Sequence, residues 1–158
     1  NFRLDELQAA LLRVKQTQLD EWIALRTGNA AQYQSLLAGT PDLILPAAAP
    51  GHSWNQFTVR LPNRERRDAL AVHLRTAEIG NEIYYPEALH QQPCFDHLPS
   101  ANCPVAEQLA DQVLSLPVSP EMTEAQVKKE AALFPLKHVE TYKKLPWQHV
   151  VFFEKVKQ

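Results

Sequence analysis

The chain has 158 residues, enough for one domain with a real core, and its hydrophobic (45%) and charged (22%) shares are those of an ordinary globular protein. A formal charge of -2 gives no basic field for nucleic acid, and no apolar run approaches the length of a membrane span. Two cysteines, Cys94 and Cys103, are too few for a disulfide framework and read as reduced thiols of a cytoplasmic protein.

Residues 3–26 read as one long helix. Leu4, Leu7, Leu11 and Val14 recur at spacings of three and four and form an apolar stripe. Leu12, Leu19 and Ile23 widen it to a second face. Asp5 and Glu6 suit a helix N-terminus. A helix apolar on more than one side belongs between two bodies, here a second domain, a second subunit or both. Gly28-Asn29 is expected to break it, since both residues tolerate left-handed backbone. A second helical piece over 30–37 then stops at Gly39.

Residues 40–51 read as loop, because three prolines and three alanines cannot hold a regular ladder. Residues 54–61, W-N-Q-F-T-V-R-L, alternate as a strand with Phe57, Val59 and Leu61 on one face. Pro62 ends it. Asn63 caps a helix over 64–77 that turns Leu70, Leu74 and Ala77 inward. Residues 82–85 form a short strand stopped by Pro86, and 87–103 is long and irregular, as functional loops often are. Pro104 suits the first turn of a helix with Val105, Leu109 and Val113 inward. A third strand over 114–118 follows. Thr123 to Gln126 has a capping-box pattern, opening a final helix to about Phe134.

This order predicts an α/β (α+β) small domain: a long N-terminal helix, then a roughly three-stranded sheet covered by helices. Residues 1–38 connect, 39–134 form the domain, and 135–158 are a lysine-rich tail of no assigned role, in which Val150 to Phe153 reads either as a strand or simply as a sticky tail. The chain does not begin with Met, and its one methionine is Met122. It therefore reads as a processed product or a piece of a longer protein.

Four scattered glycines cannot form a phosphate-cradling loop. Cys94, His97 and Cys103 lack a fourth ligand at a sensible spacing, so no metal site is expected. A Cys94–His90 nucleophile pair has no orienting third group in the sequence. The richest stretch is 83–95. Tyr84 and Tyr85 combine an apolar ring with a hydroxyl, and His90, Gln91 and Gln92 donate or accept hydrogen bonds. Such groups suit the hydroxyls of a sugar. The alternative is a strand end whose tyrosines fill the core and whose histidine is solvated.

Four blocks, in order, carry a resemblance. They are N-F-R-L-D-E-L-Q-A-A at 1–10, W-N-Q-F-T-V-R at 54–60, E-I-Y-Y-P-E-A-L-H-Q-Q-P-C-F at 82–95, and P-V-A-E-Q-L-A-D-Q-V-L-S-L-P-V-S-P-E-M-T at 104–123. Together they resemble the C-terminal part of DegT/DnrJ/StrS-type aminotransferases, pyridoxal-phosphate enzymes that aminate nucleotide-linked keto sugars with glutamate as donor. Ala88 and Gln91 stand where the family's Y-P-x-P-L-H-L-Q pattern has Pro and Leu, and the tail beyond about Lys129 matches nothing in it.

The resemblance implies the C-terminal domain of a fold-type-I pyridoxal-phosphate transferase, inactive alone. The cofactor lysine would lie in a missing N-terminal domain, so no catalytic residue is assigned to this chain. It implies a homodimer in which Asn1 reaches the cofactor phosphate of the neighbouring subunit and Arg3 supports that interface. Tyr85 and His90 would lie near the sugar, as binding groups. Other readings are a non-catalytic sugar-binding or dimerisation module, and a pyridoxal-phosphate sugar dehydratase of the same fold.

Overall fold

A computed structural model describes residues 3–99 and 101–134. Asn1 and the expected strand near Val150 lie outside them. The first helix, α1 (Glu6–Gln16), starts where the chain can satisfy its free N–H groups. Asp5 is the N-cap, its carboxylate accepts from Gln8 N, and the Gln8 side chain accepts from Asp5 N.

The expected single helix to residue 26 is interrupted earlier and resumes for longer. The break falls at Thr17, whose hydroxyl donates to Val14 O at 2.9 Å and competes with the helical ladder. Then α2 (Leu19–Leu37) runs straight through Gly28-Asn29. Asn29 does not cap there. Its amide Nδ2 donates to Ser119 O at 2.9 Å, while Ala30, Tyr33 and Leu37 go into the core. Tertiary bonding thus overrides the local preference for a stop.

Strand β1 (Phe57–Arg60) alternates as expected, with Phe57 and Val59 buried, and Leu61 continues the same inward set. It pairs antiparallel with β2 (Val113–Leu116), Phe57 opposite Leu116 and Arg60 opposite Val113. All four residues of β2 are buried. The expected second strand over 82–85 is reduced to one bridge: Glu82 exchanges both backbone bonds with Ser115, at 3.1 and 2.8 Å, and pairing stops. Pro86, which has no N–H to extend a ladder, follows shortly. On the other flank Ile44 bridges Arg60. The sheet is therefore a two-stranded ladder with a bridge on each side.

Between the strands lie α3 (Arg64–Thr76), capped by the Asn63 side chain on Arg66 N, and α4 (Pro104–Gln112). Leu70 and Leu74 are fully buried as expected. In α4, Val105 is 69% exposed rather than inward. The helix ends at Gln112 and Val113 already belongs to β2, so the expected stripe never forms one face. Ala110 and Gln112 are buried instead. Gln112 ties the helix to β1: it accepts from Arg60 Nη2 at 2.7 Å and donates to Pro62 O at 2.9 Å. Buried Arg67 donates through Nη1 to Ala110 O at 3.0 Å, joining α3 to α4.

Last comes α5 (Glu124–Ala131), opened by the Thr123–Gln126 capping box. It packs on α2. One core joins Tyr33 and Leu37 of α2, the inner face of the strands, Leu70 and Leu74 of α3, Val127 of α5, and Phe134. No residue of α1 is buried. Leu7 and Val14 are each 72% exposed and Leu11 60%. Among the described residues no helix is long and apolar enough to cross a membrane.

Candidate functional site

The irregular stretch after the Glu82 bridge contains two short 3-10 turns, Leu89–Gln91 and Pro93–Phe95. The first begins after Ala88, which is buried and anchors the loop. The Tyr84–Tyr85 peptide is cis. The rings of Tyr84 and Tyr85 meet edge to face, 6.0 Å apart at 76°. Tyr85 is 69% exposed, so it is no core residue. An exposed phenol offers a flat apolar surface with a hydroxyl tip.

His90 is turned inward from the same loop. Its Nε2 lies 2.9 Å from Oε1 of Glu107, in the first turn of α4. The same carboxylate oxygen also accepts from the backbone N–H of Cys103, at 3.4 Å. The loop is thus fastened through one carboxylate near its start and at its end. Glu107 was not singled out in the sequence. It lies 17 residues from His90 across irregular chain. The available signal was Pro104, which fixes the first turn and places an acid where the helix dipole favours it.

Tyr84 lines a cleft of about 410 Å³ at the Leu116 end of the strands, with Arg26, Asn55, Asn81, Glu82 and Ser119 also in its wall. Arg26 Nη1 donates to Asn55 Oδ1 at 3.4 Å. A second, more apolar cleft of about 580 Å³ lies between α2 and residues 48–54, with Ile23, Thr27 and Trp54 in its wall. His52 stacks on Trp54 at 4.1 Å, and its Nδ1 accepts from Trp54 N.

Asn1 lies outside the described residues. Arg3 is exposed, with φ at 50°. Cys94 and Cys103 are free and exposed. Among the described residues no group of three His, Cys, Asp or Glu side chains is placed to hold a metal ion. The described lysines, Lys15, Lys128 and Lys129, are all exposed, and none lines either cleft. They do not fit the buried Schiff-base lysine that pyridoxal phosphate requires.

Residues 1–133 match the DegT/DnrJ/EryC1/StrS aminotransferase family, and the chain belongs to it. It is 44% identical over 127 residues to the erythromycin biosynthesis sensory transduction protein EryC1 of Saccharopolyspora erythraea, covering 78% of this chain and 34% of that one. It is 43% identical over 130 residues to the dTDP-3-amino-3,4,6-trideoxy-alpha-D-glucose transaminase of Streptomyces venezuelae, covering 80% and 34%. The fold is similar to that of S. venezuelae DesV, solved in complex with a ketimine intermediate. The TM-score is 0.76 and the identity 37%, covering 90% of this chain and 38% of that one. The chain therefore spans about a third of the length of the curated relatives it matches. Its mixed α/β architecture is that of the corresponding part of the sugar aminotransferases.

Proposed function

We propose that this chain forms the C-terminal part of a pyridoxal-phosphate aminotransferase acting on nucleotide-linked keto sugars, with glutamate as amino donor. Residues 1–38 connect to the large cofactor-binding domain, and 39–134 form the small domain. The enzyme works as a homodimer in the cytoplasm. Asn1 and Arg3 stand at the subunit boundary beside the cofactor phosphate. Tyr85 and His90 bind the sugar. Free, exposed Cys94 and Cys103 support a reducing compartment.

The observation that carries this reading is α1. It is a helix with an N-terminal capping box and no buried residue, and it presents Leu7, Leu11, Leu12 and Val14 to solvent, with Leu4 exposed just before it. An apolar surface of this kind marks a contact with another body. Family membership and the span of one third support a large cofactor-binding domain or a partner subunit as that body. The chain's own part is binding and positioning: a phenol and an imidazole on one anchored loop suit sugar hydroxyls. The cofactor supplies the electron sink for amino transfer, and its lysine belongs to the large domain.

The test compares two proteins. The 158-residue chain alone is expected to show no new absorbance band with pyridoxal phosphate and no transfer from glutamate. The full-length enzyme is expected to aminate a nucleotide-linked keto sugar. Turnover by the isolated chain, or a full-length protein that neither binds the cofactor nor accepts any such sugar, would overturn the proposal.

A further inference from the structure

His90 has two ring nitrogens, and the structure distinguishes them. Nε2 lies 2.9 Å from Glu107 Oε1, and among the described residues Nδ1 has no hydrogen-bond partner. An ionised carboxylate only accepts. The proton of neutral His90 therefore sits on Nε2, and Nδ1 is left as a bare acceptor. Glu107 is well placed to hold this arrangement. It belongs to the first turn of α4, favoured there by the helix dipole, and its Oε1 is also held by the Cys103 N–H. With His90 only 20% and Glu107 38% exposed, the pair is partly shielded from water.

We propose that Glu107 is a positioning residue for His90, fixing the Nε2–H tautomer and ring orientation so that Nδ1 accepts a hydrogen bond from a hydroxyl of the ligand. This rests on the reading that His90 contacts the sugar. It adds which sugar group His90 recognises. With a proton fixed on Nε2, the ring presents Nδ1 as an acceptor, which suits an O–H donor rather than the oxygens of a phosphate or carboxylate. The contact therefore lies on the sugar hydroxyls, away from the nucleotide's phosphate.

The positioning is read on the 158-residue chain by NMR of the imidazole protons. A slowly exchanging Nε2–H signal is expected, assigned to His90 by its loss in His90→Ala. It should vanish in Glu107→Ala and persist in Glu107→Gln, whose amide oxygen still accepts. Far-UV circular dichroism confirms that α4 is retained. A signal that survives Glu107→Ala overturns the positioning role, whatever the chain's activity.

The specificity is read on the full-length holoenzyme. His90→Ala and Glu107→Ala are each expected to raise the KM for the keto sugar about tenfold, the worth of one hydrogen bond. The KM for glutamate should be unchanged. The double variant should be no worse than either single one, because both remove the same contact. Additive losses overturn the inference. A keto-sugar KM unmoved by His90→Ala instead overturns the assignment of His90 to the sugar.

Discussion

Tyr33 donates its phenolic hydroxyl to Glu130 Oε2 at the buried junction of α2 and α5. Tyr33 is fully buried and Glu130 only 8% exposed. Burial pushes the Glu130 carboxyl above its ordinary value of 4.5, and the Tyr33 bond opposes that shift only in part. Burial also pushes the Tyr33 phenol far above 10.0, helped by the bond to Glu130 and its charge. Both groups hold their protons more tightly in the folded chain than in the unfolded one. Their stabilising contribution is therefore complete at low pH and lost as pH rises. For Glu130 the loss begins above about 4.5 and ends once the native carboxyl ionises. For Tyr33 it begins above about 10.0. Urea unfolding of wild type and Glu130→Gln should coincide most closely near pH 4 and diverge toward neutrality in favour of the glutamine. Tyr33→Phe removes the hydroxyl that satisfies Glu130. It should cost about 1–3 kcal/mol at pH 7.

Gly28 sits inside α2, exposed, and a Cβ built there meets no atom within 4 Å. Gly28→Ala should therefore raise stability by about 1 kcal/mol, through helix propensity alone. Chemical denaturation measures it directly. A loss of stability would show that the helix is not continuous through this point.

That continuity was the largest misreading available in the sequence. Gly28-Asn29 has the local chemistry of a helix end, and what holds the helix together is a bond from Asn29 to Ser119, 90 residues away. The Phe57, Val59, Leu61 alternation and the caps at Asn63 and Thr123 were legible because each is decided within a few residues. Residues 82–85 were not legible as a bridge. Strand propensity says nothing of how many partners a segment finds. At the candidate site the same division holds: His90 could be picked out by its own chemistry, whereas Glu107, its partner, is brought to it by the fold.

Thr123 accepts from Gln126 N through its hydroxyl at 3.3 Å, and the Gln126 side chain accepts from Thr123 N at 2.8 Å. The cap starts the helix that carries Val127 and Glu130 into the core. Thr123→Ala should cost about 1 kcal/mol. Thr123→Ser, which keeps the hydroxyl, should recover most of it. Thermal unfolding of the three proteins separates loss of the cap from loss of the methyl group.

The remaining prediction concerns α1. Leu7 and Leu11 lie one turn apart, 72% and 60% exposed. Neither contributes to the core around Tyr33 and Phe57. Leu7→Glu with Leu11→Glu should change unfolding of the isolated chain by no more than about 0.5 kcal/mol, as surface substitutions do. The same pair should abolish concentration-dependent association of the chain in analytical ultracentrifugation. In the full-length enzyme it should lower both the dimer yield and the cofactor content. A large loss of stability in the isolated chain would mean that α1 packs on its own domain. Unchanged association and unchanged cofactor content would mean that its leucines face nothing in the assembly.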